Sequence, residues 1–298
     1  MQKGIILSNI SDLYKVESEN KIYDCNARGK FKNKISPVAG DMVEIEITDD
    51  QNCKGVINEI YERKNYLKRP KMANLSQIIL VVSMRLPKPD LELLDKQIVY
   101  AETLKIKPII CLNKIDLLKK QKDNKGLEEL KQIHSIYENI GYTVIETEAK
   151  NNIGVNKIKE LLKDNITAFS GNSGVGKSTL INALLGEDIT QEGLISTKNK
   201  RGKNTTTQVK LYKIEENTYI ADTPGFSTFD INEIPKNDLA YYFIEFRDYI
   251  NKCEYADCSH IKEGNCGIKN AVEQGKISIA RYERFCDLYS KIKENIKK

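Results

Sequence analysis

Nine consecutive residues constrain this chain more than any others: Gly171-Asn172-Ser173-Gly174-Val175-Gly176-Lys177-Ser178-Thr179. They match G-x-x-x-x-G-K-[ST] at Gly171, Gly176, Lys177 and Ser178. Glycines there let backbone N–H groups turn inward around phosphate oxygens. Lys177 supplies charge to β- and γ-phosphates, and the Ser178 hydroxyl can ligate Mg²⁺. Such a loop works between a strand and a helix. Thr167-Ala168-Phe169 before it is strand-like, 179–185 after it is helix-like, and Gly186 is placed to end that helix. The helix N-terminus adds its dipole to the phosphate site. A Gly-rich turn with no ligand is the competing reading, and the flanking strand and helix argue against it.

The surroundings of the loop read as a mainly parallel α/β sheet. Compact apolar strands are expected at 77–82, 107–112, 144–147, 166–169 and 218–221. Helical spacing links Leu91, Leu94, Ile98 and Ala101, then Ile158, Leu161 and Leu162. Two of these strands end in further motifs. Asn113-Lys114-Ile115-Asp116 resembles the N-K-x-D element by which translation-factor-like GTPases select guanine. A carboxylate accepts hydrogen bonds from guanine N1–H and the 2-amino group; adenine lacks both donors and leaves the acid unpaired. Glu148-Ala149-Lys150 resembles the S-A-K element that packs on the base, with Glu148 in place of serine. That element works mainly through its backbone.

Asp222-Thr223-Pro224-Gly225 fits D-x-x-G, in which the acid holds Mg²⁺ through water and the Gly225 N–H senses the γ-phosphate. Thr205, Thr206 and Thr207 lie between the phosphate loop and this strand. Thr206 is the favoured second Mg²⁺ ligand, in a loop that orders with GTP. The order is unusual. In an ordinary GTPase the base-reading motif follows the phosphate loop, whereas here it precedes it. The same sheet can be built from a chain whose ends have moved, which joins whatever follows residue 232 directly to the switch.

Residues 1–66 read as short strands at 4–10, 13–16, 21–25, 42–47 and 55–60, divided by turn residues such as Gly40-Asp41 and Asp49-Asp50. A small OB-type barrel fits, with another small β-domain of SH3-like kind as the alternative. Arg28, Lys30, Lys32 and Lys34, with Phe31 among them, could contact RNA by charge and stacking, though a solvated loop looks similar. The chain has 47 basic and 42 acidic residues, and the whole excess lies in 67–232. A polyanionic partner and an ordinary lysine-rich surface both account for it.

Beyond 232, Leu239, Phe243, Phe246 and Ile250 suggest one amphipathic helix, and Tyr282, Phe285, Tyr289 and Ile292 another. Between them Cys253, Cys258, His260 and Cys266 make a complete Cys₃His set for a structural Zn²⁺. Three of the chain's 7 cysteines and one of its 2 histidines fall in 14 residues, which chance does not explain. Cys25, Cys53, Cys111 and Cys286 are isolated and expected to fill cores; His134 is read as structural. An odd cysteine count and no export signal argue against disulfides and for the cytosol. No apolar run approaches the ~20 residues of a membrane helix.

Together the motifs resemble the bacterial small ribosomal subunit biogenesis GTPases (ribosome small-subunit-dependent GTPase A). The resemblance runs through ARGKF at 27–31, PVAGDMVEIE at 37–46, NYLKRPKMANLSQ at 65–77, the NKID-then-GNSGVGKST order, DTPGF and C-x4-C-x-H-x5-C. It implies an OB-fold at 1–66, a circularly permuted GTPase domain at 67–232 and a zinc-bound helical domain at 233–298. It also implies a monomer that binds rRNA late in maturation of the small subunit and leaves on subunit-stimulated cleavage of the β–γ bond of GTP. One departure stands out. The family's G-R-H-T-T reads Gly202-Lys203-Asn204-Thr205-Thr206 here, and Phe226 follows Gly225 where Ras-like enzymes carry glutamine. Asn204 can orient a water but cannot accept its proton. A GTP-gated RNA-binding module with negligible turnover is therefore the second reading. A large-subunit assembly GTPase would not ordinarily carry both a barrel and a zinc cluster, and Asp116 speaks against an ATPase.

Overall fold

The computed structural model describes residues 1–29, 36–185, 209–222 and 231–292. Lys30, Phe31, Lys32, Lys34, Gly186, Asn204, Thr205, Thr206, Thr207, Gly225 and Phe226 lie outside the described residues.

Strands β1 (Gln2–Ile10), β2 (Leu13–Ser18), β3 (Lys21–Ala27), β4 (Met42–Asp49) and β5 (Lys54–Ile60) close into a barrel. Its order is β1-β2-β3-β5-β4, with β4 returning to β1. β3 lies beside β5, parallel to it, so the chain crosses over as in an OB-type Greek key and not as a simple meander. Alternate residues fill the inside: Ile6, Val16, Tyr23, Cys25, Val43, Ile45 and Ile57. The unbroken run Ile5-Ile6-Leu7 has a tertiary cause. Ile6 faces the barrel interior, while Ile5 and Leu7 join the core of the neighbouring sheet.

A short hairpin, β6 (Tyr66–Lys68) and β7 (Lys71–Ala73), leads into that sheet. Its strands are β8 (Gln77–Ser83), β9 (Lys107–Asn113), β10 (Thr143–Thr147), β11 (Ile166–Ser170), β12 (Lys210–Glu215) and β13 (Thr218–Asp222). The order is β10-β9-β8-β11-β13-β12, parallel except for β12. Helices cover both faces, which is why β8 and β11 are buried at every residue. Helices α1 (Leu91–Thr103) and α3 (Asn124–Ile140) pack on one face, α4 (Val155–Leu162) and α5 (Lys177–Leu185) on the other. Helix α5 starts at Lys177, two residues before the expected 179, so the lysine opens the helix.

Three features depart from the sequence expectations. β12 has no counterpart among the expected strands, because Lys-Leu-Tyr-Lys-Ile-Glu lacks a strict alternation: adjacent Leu211 and Tyr212 are both buried. The β6–β7 hairpin, of two three-residue strands, has no counterpart there either. The amphipathic helix expected through Leu239 and Ile250 is instead two 3₁₀ turns, Lys236–Tyr242 and Ile244–Phe246, and one turn of α-helix, Arg247–Ile250. Phe243, extended at φ −91° and ψ 92°, interrupts it. Ala240, Phe243 and Phe246 are buried at a spacing of three, the 3₁₀ repeat. Phe243, Phe246 and Phe285 pack with ring centroids 5.1–5.3 Å apart, and that cluster takes the place of a helix face. Helices Gly267–Glu273 and Ile279–Lys291 complete the region, the latter carrying Tyr282, Phe285 and Tyr289 as expected. No helix among the described residues is long and apolar enough to cross a membrane.

Candidate active site and metal centre

Parallel strands deliver their C-terminal ends to one edge of the sheet, where α/β folds place their ligands. A cavity of about 720 Å³ opens there. Asn113, Lys114 and Asp116 reach it from the end of β9, and Ala149 and Lys150 from the end of β10. Gly171, Ser173, Gly174, Gly176, Lys177, Ser178 and Thr179 reach it from the end of β11. Of the other expected residues, Asn172 turns aside to donate to the Asp90 carboxylate at 2.9 Å. Val175 and Ile115 are buried in the two cores flanking the sheet.

The glycines of the loop are there of necessity. Gly171 has φ +141°, and a Cβ on it would lie 2.2 Å from the Val81 carbonyl oxygen. Gly176 has φ +100°, and its Cβ would lie 2.4 Å from Asn113 Nδ2. Lys177 Nζ donates to the carbonyls of Gly171 at 2.6 Å and Asn172 at 2.8 Å. Burial holds its pKa below the usual lysine range, so an anion at this place would relieve a desolvated charge.

Asn113 knits the cavity together. Its Nδ2 donates to the Val175 carbonyl at 3.0 Å; its Oδ1 accepts from the Thr147 hydroxyl at 2.9 Å and the Ala149 N–H at 3.3 Å. Lys114, left-handed at φ +65°, donates to the carbonyls of Leu86 and, at 2.5 Å, of Gly174. Burial, and the charge of Lys150, push its pKa down. Asp116 is 7% exposed, with Lys120 Nζ 3.4 Å from its carboxylate. That contact meets Oδ2 alone, and a carboxylate offers two oxygens that can accept a pair of parallel hydrogen bonds from a planar donor edge.

Asp222 ends β13, beside the strand that feeds the loop: Ala221 pairs with Ala168. Burial pushes its carboxyl up and Lys210 pulls it down. Ser178 sits in the first turn of α5. Asn204, Thr206 and Gly225, the remaining expected residues, lie outside the described residues. Sequence reasoning missed the support behind the loop. Gln97 donates to Ser170 Oγ at 2.8 Å, and Asp90 caps α1 through the Leu93 N–H while receiving Asn172. An aspartate just before an apolar helical run is the capping signal that points to Asp90.

The four expected metal ligands converge. Cys253 Sγ and Cys266 Sγ stand 3.4 and 3.5 Å from His260 Nδ1 and 3.9 Å from each other, and all four donor atoms lie within 4.8 Å. A tetrahedron with Zn–S of about 2.3 Å and Zn–N of about 2.0–2.1 Å has edges of roughly 3.8 Å between sulfurs and 3.6 Å from sulfur to nitrogen. The donor set therefore fits such an ion. Burial holds His260 below the usual imidazole range, in the neutral form that ligates. Cys25 and Cys111 are buried as expected, while Cys53 and Cys286 are half-exposed. His134 bonds Glu146 at 2.7 Å.

Comparison with known proteins follows the same lines. The RsgA GTPase family model matches residues 60–232 and the RsgA N-terminal domain model residues 3–57. A small ribosomal subunit biogenesis GTPase RsgA from Alkaliphilus metalliredigens is 40% identical over 296 residues, 99% of each chain. One of the same name from Ruminiclostridium cellulolyticum is 42% identical over 99% of this chain and 95% of its own. The crystal structure of YjeQ from Thermotoga maritima superposes with a TM-score of 0.84 at 36% identity, covering 98% of both chains. That of YloQ, a circularly permuted GTPase, gives 0.82 at 32%, covering 98% of this chain and 95% of that one.

Proposed function

The chain belongs to the RsgA GTPase family, and from that membership and the cavity we propose that it binds GTP with Mg²⁺ and hydrolyses it in maturation of the small ribosomal subunit. The observation that carries the reading is the Asn113–Val175 bond, which joins a base-reading motif to a phosphate loop lying after it in the chain. Asp116 reads the guanine edge, with Asn113, Lys114, Ile115, Ala149 and Lys150 forming its frame. Backbone N–H groups of residues 171–179 cradle the phosphates, and Lys177 neutralises the β/γ bridge where transition-state charge collects. Ser178 and Thr206 hold Mg²⁺, with Asp222 acting through water; the ion would neutralise charge on the phosphates. Gly225 N–H meets the γ-phosphate, and Asn204 orients the water. Cys253, Cys258, His260 and Cys266 hold one structural Zn²⁺. In this reading 1–66, the OB-type barrel, and 233–298, the zinc domain, contact rRNA around the GTPase domain at 67–232. The protein works as a cytoplasmic monomer with no membrane partner, and GTP hydrolysis triggers its release.

Phosphate release from GTP, measured with purified small and large subunits in parallel, tests this. Slow turnover alone and strong stimulation by the small subunit are expected. Equal rates with either subunit, or with none, contradict the role. A second reading rests on Asn204 and Phe226, neither of which can accept a proton from the water: a GTP-gated RNA-binding module. It predicts nucleotide-dependent subunit binding with no stimulated turnover.

A further inference from the structure

Helix α2 (Ile115–Lys120) carries Asp116 into the cavity, and it is six residues long. Lys114 at its N-cap makes no side-chain capping bond. So short a helix has little stiffness of its own. The turn at 148–153 carries Ala149 and Lys150 to the same end of the cavity. It is closed on Glu148: its N–H donates to the Ile153 carbonyl at 3.0 Å, and its carbonyl accepts from the Asn151 N–H at 2.8 Å. The Glu148 carboxylate is 5% exposed and accepts from Asn151 Nδ2 at 3.0 Å and from Lys119 Nζ at 2.5 Å. Lys119 stands on the helix that carries Asp116. One ion pair thus bridges α2 and the 148–153 turn, beside the bond from the Ala149 N–H to Asn113 Oδ1 that also ties this turn to the end of β9.

We infer that Lys119 and Glu148 are positioning residues for base selection, their ion pair fixing the gap between Asp116 and the Ala149–Lys150 turn. The inference rests on the GTP reading above. A carboxylate that must meet N1–H and a 2-amino group together depends on geometry at both oxygens. Freed of Glu148, the short helix can shift and lengthen both bonds. Removing Lys119 also takes the bonded counter-ion from a buried carboxylate at the edge of the site, leaving it Asn151 and the weaker field of Lys120.

Lys119→Gln tests this in the intact chain, because the lysine side chain is 59% exposed and its loss empties no packed site. KM for GTP is expected to rise about two- to fivefold, the range an ion pair of this exposure supports, with kcat unchanged. The preference for GDP over inosine diphosphate, whose base lacks the 2-amino group, falls. Lys119→Arg restores both. Glu148→Gln keeps an acceptor for Asn151 and gives the same rise, with little added when it is combined with Lys119→Gln. An unchanged KM and base preference in Lys119→Gln overturns the inference. So does a fall in kcat with base preference intact, which assigns the pair a general structural role. An unaltered chain that binds no guanine nucleotide instead defeats the GTP reading itself.

Discussion

At the scale of single residues, the amide of Asn113 limits what its neighbours can be. It is 1% exposed and bonded to the phosphate loop, to β10 and to the turn after β10. A Cβ at position 176 would overlap the Nδ2 that bonds the phosphate loop at Val175, in a backbone conformation of φ +100° that alanine resists, so Gly176→Ala is expected to lower GDP affinity by more than about tenfold. Equilibrium binding checks this, and an affinity within twofold of the original counts against it. Asp116 offers a sharper test of base reading. Asp116→Asn replaces a charged acceptor with a donor facing guanine's N–H groups, so GTP binding weakens. Binding of xanthosine triphosphate improves, since its 2-oxo group accepts that donor. Competition between the two nucleotides measures the exchange, and undiminished GTP affinity would show that the NKID motif reads something else.

At the scale of elements, the loop holding the Cys₃His set has almost no regular structure between Ile250 and Gly267, so its donors must supply the order. His260 is left-handed at φ +62°, its carbonyl accepts from the Tyr282 hydroxyl at 2.7 Å, and its ring lies 6.5 Å from that of Phe285. An ion bound by these four residues would couple to folding of the aromatic cluster. One zinc per chain is expected in freshly purified, reduced protein, and Cys258→Ser or chelation should raise amide exchange across 250–270 and into Phe285. A metal-free protein with full protection in that loop would refute the coupling. The 3₁₀ turns before the loop belong to the same cluster: Phe243 bends out of helical geometry to stack beneath Arg281, 4.6 Å from the guanidinium.

Over the whole molecule, α1 ties the edge of the sheet that bears the cavity to the C-terminal region. One side of it meets the phosphate loop through Asp90 and Gln97. The other presents Asp95, fully buried, to Arg281 and Arg284 from the C-terminal helix. Arg281 is buried completely and also holds Glu245 at 2.8 Å. Arg281→Met takes the partner of Glu245 and leaves fully buried Asp95 with Arg284 alone, and is expected to cost about 3–5 kcal/mol, read from the denaturation midpoint. A loss under about 1 kcal/mol would mean that Arg284 alone suffices for Asp95. The barrel is tied in differently. Glu17 on β2 accepts from Tyr219 Oη at 2.8 Å and from Lys213, which places the barrel against the β12–β13 hairpin that ends in Asp222. Tyr219→Phe removes one bond to a buried charge and should lower stability by about 1.5–3 kcal/mol. An unshifted midpoint would count against that contact.

Legible in the sequence were the phosphate-loop motif, the NKID and EAK turns, the Cys₃His set that could hold a metal ion, and the parallel strands beneath the loop. Each of these is a pattern among near neighbours, and its chemistry dictates residue type and spacing at once. The permuted order was legible for the same reason, because motif order needs no contact map. Tertiary structure alone decided that Ile5 and Leu7 face the sheet, that 236–250 coils as 3₁₀ turns, and that Glu148 meets Lys119. It also decided that Asp95 meets Arg281, 186 residues away. Periodicity records which residues must leave water. It does not say which surface receives them, and a buried charge finds its counter-ion only once the elements have packed.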